Sequence, residues 1–147
     1  MENQKLIVDG NGATFGRMAS FVAKELLKGG TVDIINSEGV VVSGDKKVFA
    51  EKIQAKRKMG QGSSLKGPKY IRKEERLLKR MIRGMLPRDR AKGREAFKRL
   101  KCYTGNPFAP KGVPSGEGKD ELKNVKTFDH KKLRKSSTIK EIVEVLR

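Results

Sequence analysis

The 147-residue chain carries 35 Lys and Arg residues against 17 Asp and Glu residues, which gives a formal net charge of +18. No apolar run approaches the ~20 residues that a bilayer-spanning helix needs, the first residues hold no apolar signal core, and the lone cysteine excludes a disulfide scaffold. Hydrophobic residues still make up 35% of the chain. We therefore expect a single cytoplasmic domain over residues 1–147, away from membranes, whose basic surplus binds a polyanion.

The basic charge is concentrated in the middle of the chain. Residues 52–101 contain 19 Lys and Arg and 4 Asp and Glu, a net charge of +15, whereas the other 97 positions add only +3. A shorter Lys-rich stretch is usually a solvated surface, but a block this dense repels itself strongly without counter-charge. We predict that this segment binds nucleic acid or another polyanion.

The first part of the chain predicts a βαβ unit. An apolar run over residues 5–9 predicts a strand, and a helix follows from about Thr14 to the pair Gly29-Gly30. One face of that helix holds Phe15, Met18, Ala19, Val22 and Leu26. Residues 31–36 predict a second strand, and residues 40–43 form a third apolar segment. The two strands that flank the helix should lie parallel in one sheet.

Two helices and a loop are predicted next. Asp45 is the expected N-cap of a helix that reaches about Lys58, and residues 59–68 are too rich in glycine for a regular element. A helix is predicted over residues 72–86, ended by Pro87, with an apolar stripe behind a basic face.

The last third of the chain is more mixed. A short helix is predicted over residues 93–99, a fourth strand over residues 100–104 and an irregular extension over residues 105–120. Thr138 to Glu141 fits a capping box that starts a C-terminal helix. The alternation of strands and helices predicts an α/β sandwich with helices on both faces of a small sheet.

Catalytic and cofactor-binding patterns are weak. The glycine-rich turn over residues 10–16 has Phe15 where the dinucleotide-binding fingerprint needs its third glycine. Residues 113–120 resemble a phosphate-binding loop, but Asp120 stands where that motif needs Ser or Thr. We interpret Cys102 as a core residue and His130 as a solvated basic residue. The sequence therefore predicts no enzyme, no cofactor and no metal site.

The basic segment has a chemical pattern beyond its charge. One face of the predicted helix projects five cations, which are Arg72, Arg76, Lys79, Arg80 and Arg83. A second basic string follows Pro87, and Gly84 and Gly93 are expected to let a phosphate backbone approach closely. Aromatic residues are scarce and tryptophan is absent, so we predict phosphate and 2′-hydroxyl contacts to folded RNA rather than stacking on bases.

Several motifs together resemble a known family. The motifs are Arg83-Gly84-Met85-Leu86-Pro87, the stretch from Gly93 to Pro107, Phe15-Gly16-Arg17-Met18-Ala19-Ser20 and Ile34-Ile35-Asn36-Ser37-Glu38. Their order and spacing over about residues 5–108 resemble the L13 family of large-subunit ribosomal proteins. The basic run into Arg83-Gly84 and the short N-terminus resemble archaeal members more than bacterial ones.

The resemblance implies a three-layer α/β/α sandwich with a central, mainly parallel four-stranded sheet. It also implies a structural role in the 50S subunit of the cytoplasmic ribosome, where the protein would bind 23S rRNA and act early in subunit assembly. Its other partners would be neighbouring large-subunit ribosomal proteins. It implies no cofactor and no small-molecule substrate. The alternatives are a free-standing RNA-binding or RNA-chaperone module and, more remotely, a small nucleotide-binding enzyme.

We take sixteen residues as candidates for rRNA binding. They are Arg17, Lys56, Arg57, Lys58, Lys66, Lys69, Arg72, Arg76, Lys79, Arg80, Arg83, Gly84, Arg88, Arg90, Lys92 and Arg94.

Overall fold

The structure is a computed structural model, and it describes residues 5–60, 71–108, 125–128 and 134–147. The helices of the described residues are α1 (Phe15–Lys28), α2 (Lys46–Lys58), α3 (Glu74–Arg83), α4 (Ala91–Lys98) and α5 (Ile139–Leu146). The strands are β1 (Lys5–Asp9), β2 (Thr31–Ile35), β3 (Val41–Ser43), β4 (Leu100–Cys102), β5 (Val125–Lys126) and β6 (Ser136–Thr138).

A four-stranded sheet lies at the centre of the fold. Its strands run in the order β4-β2-β1-β5, and every neighbouring pair is parallel. Val8, Ile34 and Cys102 stand in register across three strands, and the first two are fully buried. Strands that are covered by helices need such apolar side chains. The predicted three-layer α/β/α sandwich with a parallel four-stranded sheet is confirmed.

Two strands differ from the sequence-based expectation. The third apolar segment becomes β3, but it pairs antiparallel with β6 in a separate two-stranded sheet. The fourth strand of the central sheet is β5, which pairs with β1 and which the sequence did not predict. With two residues in β5, there is no alternation of apolar and polar positions to read.

Local signals at the helix ends are confirmed. Gly29 ends α1 in the left-handed region at φ 109°, where glycine carries no steric penalty. The Asp45 side chain accepts a hydrogen bond from the Lys47 backbone N–H at 2.9 Å, and the Thr138 hydroxyl accepts one from Glu141 at 3.3 Å. These caps set the starting points of α2 and α5.

Helix α3 is shorter than predicted. It covers Glu74–Arg83, because the backbone N–H groups of the next residues bond three positions back, as from Gly84 to the Met81 carbonyl at 3.1 Å. Such bonds form turns rather than α-helix. Leu86 remains buried in that turn, so the expected apolar stripe still reaches the core.

The core fixes the orientation of the basic helices. Leu77, Leu78 and Ile82 bury one side of α3, and Ile53 buries one side of α2. Burying a side chain of this size stabilises the fold by ~1.5–3 kcal/mol. Because these sides are held inside, the orientation of both helices relative to the core is fixed. None of the described helices is long and apolar enough to cross a membrane.

Candidate nucleic-acid interface

Helices α2 and α3 enclose a cleft of about 330 Å³, which we call the α2–α3 cleft. Its lining comprises Phe49, Lys52, Ile53 and Lys56 from α2, Leu77, Arg80, Met81 and Arg83 from α3, and the following Gly84. Among these described residues are four cations and no carboxylate. The sequence-predicted residues Lys56, Arg80, Arg83 and Gly84, which are up to 28 positions apart, therefore meet at one site.

The α2–α3 cleft combines charge with an apolar floor. Ile53 and Leu77 are buried at its base, and Phe49 and Met81 pack against the core while remaining partly exposed. Apolar surroundings of low dielectric constant strengthen the attraction between a cation and an anion. Arginine can fork onto phosphate oxygens, and lysine adds a compact charge.

Lys52 belongs to this site although it was not a candidate. It lies one helical turn before Lys56, and both side chains line the α2–α3 cleft. The i, i+4 spacing of two lysines on one helix is the signal that would have found it.

The remaining cations of α3 do not all face the same way. Lys79 is half-buried, and its ammonium lies 5.1 Å from the centre of the Phe97 ring, a cation–π distance. Arg76 is exposed, with its Nε 3.9 Å from the Glu75 carboxylate. The expectation of one face with five cations is therefore wrong for Lys79, which is turned towards α4, and for Arg72, which lies before the helix begins.

The second basic string lies around the start of α4. Arg88 and Arg90 are exposed in the turn before the helix, and Lys92 and Arg94 are exposed in its first half. The Arg94 guanidinium donates to the Asp89 carbonyl at 2.9 Å, which holds this side chain against the turn.

Gly93 has a different role from the one predicted. It is buried, and a Cβ atom at this position would lie 2.0 Å from the Pro87 carbonyl oxygen. The glycine therefore allows α4 to pack on its own preceding turn, so the expectation that a phosphate approaches it is wrong. Gly84 is exposed, which is compatible with close approach of a ligand.

Lys92 lines a second depression, which we call the α1–α4 groove. Its volume is about 590 Å³, and it is lined by Ser20, Ala23, Lys24, Leu27, Lys28, Met85 and Lys92. The Lys28 ammonium pairs with the Glu25 carboxylate at 2.8 Å. One of the three lysines of this groove is therefore paired with a carboxylate of its own helix.

The other candidates have the following positions. Arg17 is exposed in the first turn of α1, Lys58 is exposed at the end of α2, and Arg57 beside it is half-buried. Arg72 is exposed. Lys66 and Lys69 lie outside the described residues, as do most of the predicted loop and irregular extension, His130 and the loop over residues 113–120.

Arg99 is a cation of the basic segment with a structural role. Its guanidinium donates to the Leu26 carbonyl at 2.8 Å and to the Gly30 carbonyl at 3.3 Å, across the C-terminus of α1. The positive charge of the guanidinium also interacts favourably with the dipole of α1 at its C-terminus. Net charge along the sequence therefore overstates the number of cations available to a ligand.

Contacts within the protein explain the glycine-rich turn after β1. A Cβ atom at Gly10 would lie 2.9 Å from the carbonyl oxygens of Ile35 and Asn36, and Gly12 adopts φ 68°. Asp9 is also engaged, since it accepts hydrogen bonds from the Asn11 backbone and the Asn36 side chain, both at 2.9 Å. These contacts explain both glycines without a bound nucleotide.

Cys102 has the character of a core thiol. Burial raises its pKa to about 12, and the neighbouring Lys79 ammonium, which lowers it, does not offset that effect. The thiol is therefore protonated at neutral pH and is a poor nucleophile. Among the described residues, no group of His, Cys, Asp and Glu side chains could hold a metal ion.

These features define a class of protein before any comparison is made. It is a small α/β protein with a polycationic cleft between two helices, in which the described residues offer neither an activated nucleophile nor a metal-binding cluster.

Comparison with known proteins identifies the family. Residues 3–109 match the family model of ribosomal protein L13. The chain is 46% identical over 102 residues to the large ribosomal subunit protein uL13 of Methanococcoides burtonii, covering 69% of this chain and 72% of that protein. It is 38% identical over 122 residues to the protein of the same name in Haloarcula marismortui, covering 82% of both chains. The chain therefore belongs to the ribosomal protein L13 family.

Membership confirms the family and the archaeal type that the motifs indicated. It also confirms that the chain is not an enzyme, because the relatives are named as ribosomal proteins. The matched region contains α1 to α4 and hence both the α2–α3 cleft and the α1–α4 groove.

Proposed function

We propose that this protein is a structural constituent of the 50S subunit of the cytoplasmic ribosome, where it binds 23S rRNA through phosphate contacts and joins the subunit early in assembly. The observation that carries the proposal is the α2–α3 cleft, which brings four cations from two helices together without a carboxylate in its described lining. Family membership supports the ribosomal setting.

A rigid arrangement of cations suits folded RNA. The buried sides of α2 and α3 hold Lys56, Arg80 and Arg83 in fixed relation, so their spacing can match phosphates from different strands. Phosphate and sugar contacts read the shape of RNA and need few aromatic side chains. The second basic string around α4 and the exposed Arg17 extend the surface that we assign to rRNA.

Contacts of this kind also support early assembly. The domain forms its own hydrophobic core, so it does not require another protein in order to present its cations. RNA phosphates are available in naked rRNA before other proteins bind. Neighbouring large-subunit proteins are then expected as later partners on surfaces that the RNA leaves uncovered.

Charge reversal tests the proposal. We expect the triple variant Arg76→Glu, Arg80→Glu, Arg83→Glu to be excluded from 50S particles in sucrose gradients. Its affinity for 23S rRNA should fall, and the slope of log affinity against log salt should become shallower by about 2–3, since each phosphate contact contributes roughly 0.7–0.9 to that slope. Circular dichroism should show an unchanged fold.

A second triple variant provides the control. Arg134→Glu, Lys135→Glu, Lys140→Glu makes the same change in net charge at exposed positions near the start of α5. This variant should enter 50S particles normally. Normal incorporation of the first variant would refute the assignment of the RNA face. Loss of the wild-type protein from 50S particles in high salt, with RNA binding retained, would instead favour a free-standing RNA-binding module.

A further inference from the structure

The apolar floor of the α2–α3 cleft is not explained by phosphate contacts. Phosphates are strongly hydrated, and they gain nothing from a surface built by Phe49, Ile53, Leu77 and Met81. Ile53 and Leu77 are buried, but Phe49 and Met81 remain partly exposed, and covering that apolar surface with an apolar group is favourable. An occupant with both a negative charge and an apolar surface therefore fits this lining.

A nucleotide with an unpaired base has both properties. Its base presents two flat faces of low polarity, and its flanking phosphates are anionic. Bases that leave a stack are commonly held by aromatic rings and by arginine side chains, and Phe49, Arg80 and Arg83 bring these groups to the cleft. The exposed Gly84 has no side chain to obstruct the sugar at the mouth.

We infer that the α2–α3 cleft takes one unpaired base of the bound RNA on its apolar floor, while Lys52, Lys56, Arg80 and Arg83 hold the flanking phosphates. The inference rests on the proposed RNA-binding function and adds a single site of base recognition to a surface that otherwise contacts the RNA backbone. The charge of the described lining favours an anionic occupant over a basic one, because its four cations repel positive charge.

Filling the cleft without changing its charge tests the inference. In Met81→Trp, an indole covers the floor, and the control Val145→Trp places an indole at an exposed position of α5, outside both depressions. Binding is measured to a 23S rRNA transcript and to heparin, a polyanion without bases. We expect Met81→Trp to weaken rRNA binding about tenfold and to leave heparin binding unchanged. Val145→Trp should change neither affinity.

A second variant and a direct probe protect the test against misfolding. Met81→Ala shortens the floor rather than filling it, and it should weaken rRNA binding about threefold while the protein remains folded at the assay temperature. Chemical probing of the rRNA should show at least one single-stranded base that the wild-type protein protects. That base should become reactive with Met81→Trp while protection of the backbone around it persists.

The possible failures are distinguishable. If the wild-type protein binds rRNA no better than heparin, the proposed function fails. If rRNA binding is selective but Met81→Trp binds as the wild type does, the inference alone is overturned. It is also overturned if Met81→Trp binds naked rRNA normally yet is lost from complete 50S particles, since the occupant is then a neighbouring protein.

Discussion

Replacing Arg99 tests whether the basic segment contains structural cations as well as the cations that we propose to bind RNA. The guanidinium of Arg99 bridges the Leu26 and Gly30 carbonyls at 2.8 and 3.3 Å, and its own carbonyl accepts a hydrogen bond from the Val32 backbone at 3.3 Å. In this way, the start of β4 is tied to the end of α1 and the start of β2. Arg99→Met keeps most of the aliphatic stem and removes the donors.

The magnitude follows from these contacts. A hydrogen bond from a charged group contributes about 1.5–3 kcal/mol, and the longer contact to Gly30 contributes less. The favourable position at the end of α1 adds about 0.3–1 kcal/mol. The Leu26 carbonyl keeps a second bond from Gly29 at 3.2 Å, so it is not left unsatisfied. We expect a loss of about 2–3 kcal/mol in the free energy of unfolding, which lowers the melting temperature by about 5–10 °C.

Arg76→Met is the matched comparison. It removes the same charge from an exposed side chain whose ion pair with Glu75 is long, at 3.9 Å. Thermal unfolding should change by less than about 0.5 kcal/mol, because exposed pairs contribute little. Its affinity for 23S rRNA should fall, whereas that of Arg99→Met should stay within about twofold of wild type below the melting transition. The reasoning is refuted if Arg99→Met has wild-type stability, or if it loses as much rRNA affinity as Arg76→Met.

Two further predictions concern Gly93 and Cys102. Gly93→Ala should destabilise the fold by about 3 kcal/mol or more in denaturant unfolding, since its Cβ would lie 2.0 Å from the Pro87 carbonyl oxygen. Gly16→Ala is the control, because nothing lies within 4 Å of the added Cβ atom, and it should stabilise α1 by about 0.5–1 kcal/mol. Equal effects of the two substitutions would contradict the packing role of Gly93. Burial raises the pKa of Cys102 from 9.0 to about 12. The contribution of the neutral thiol to stability is therefore complete below pH 9, and it is lost as the pH rises towards 12, because the thiol of the unfolded chain ionises first. Cys102→Val should therefore lose less stability than wild type between pH 8 and pH 11, and parallel denaturation curves would refute this role of the thiol.

Local structure was largely readable from the sequence. The apolar positions from Met18 to Leu26 predict the buried side of α1, and Gly29, Asp45 and Thr138 mark helix ends that the structure reproduces. These signals depend on residues within a few positions of each other. Periodicity, capping and backbone freedom of glycine are properties of short segments, so they are present in the sequence itself.

Strand pairing and the final orientation of cations were decided by tertiary contacts. β3 leaves the central sheet to pair with β6, and the two-residue β5 takes the edge beside β1. Both pairings join segments about 95–120 positions apart, and segments so short carry too little pattern to indicate a partner.

The charge shows the same division. The sequence alone determined that +15 of the total +18 lies within residues 52–101, and its motifs indicated the ribosomal family. Only the tertiary structure decided what each cation does: Lys52 joins Arg80 at the α2–α3 cleft, Lys79 turns to Phe97, and Arg99 secures the end of α1. The physical reason is that net charge is a sum over residues, whereas the role of a cation depends on which atoms the fold places beside it.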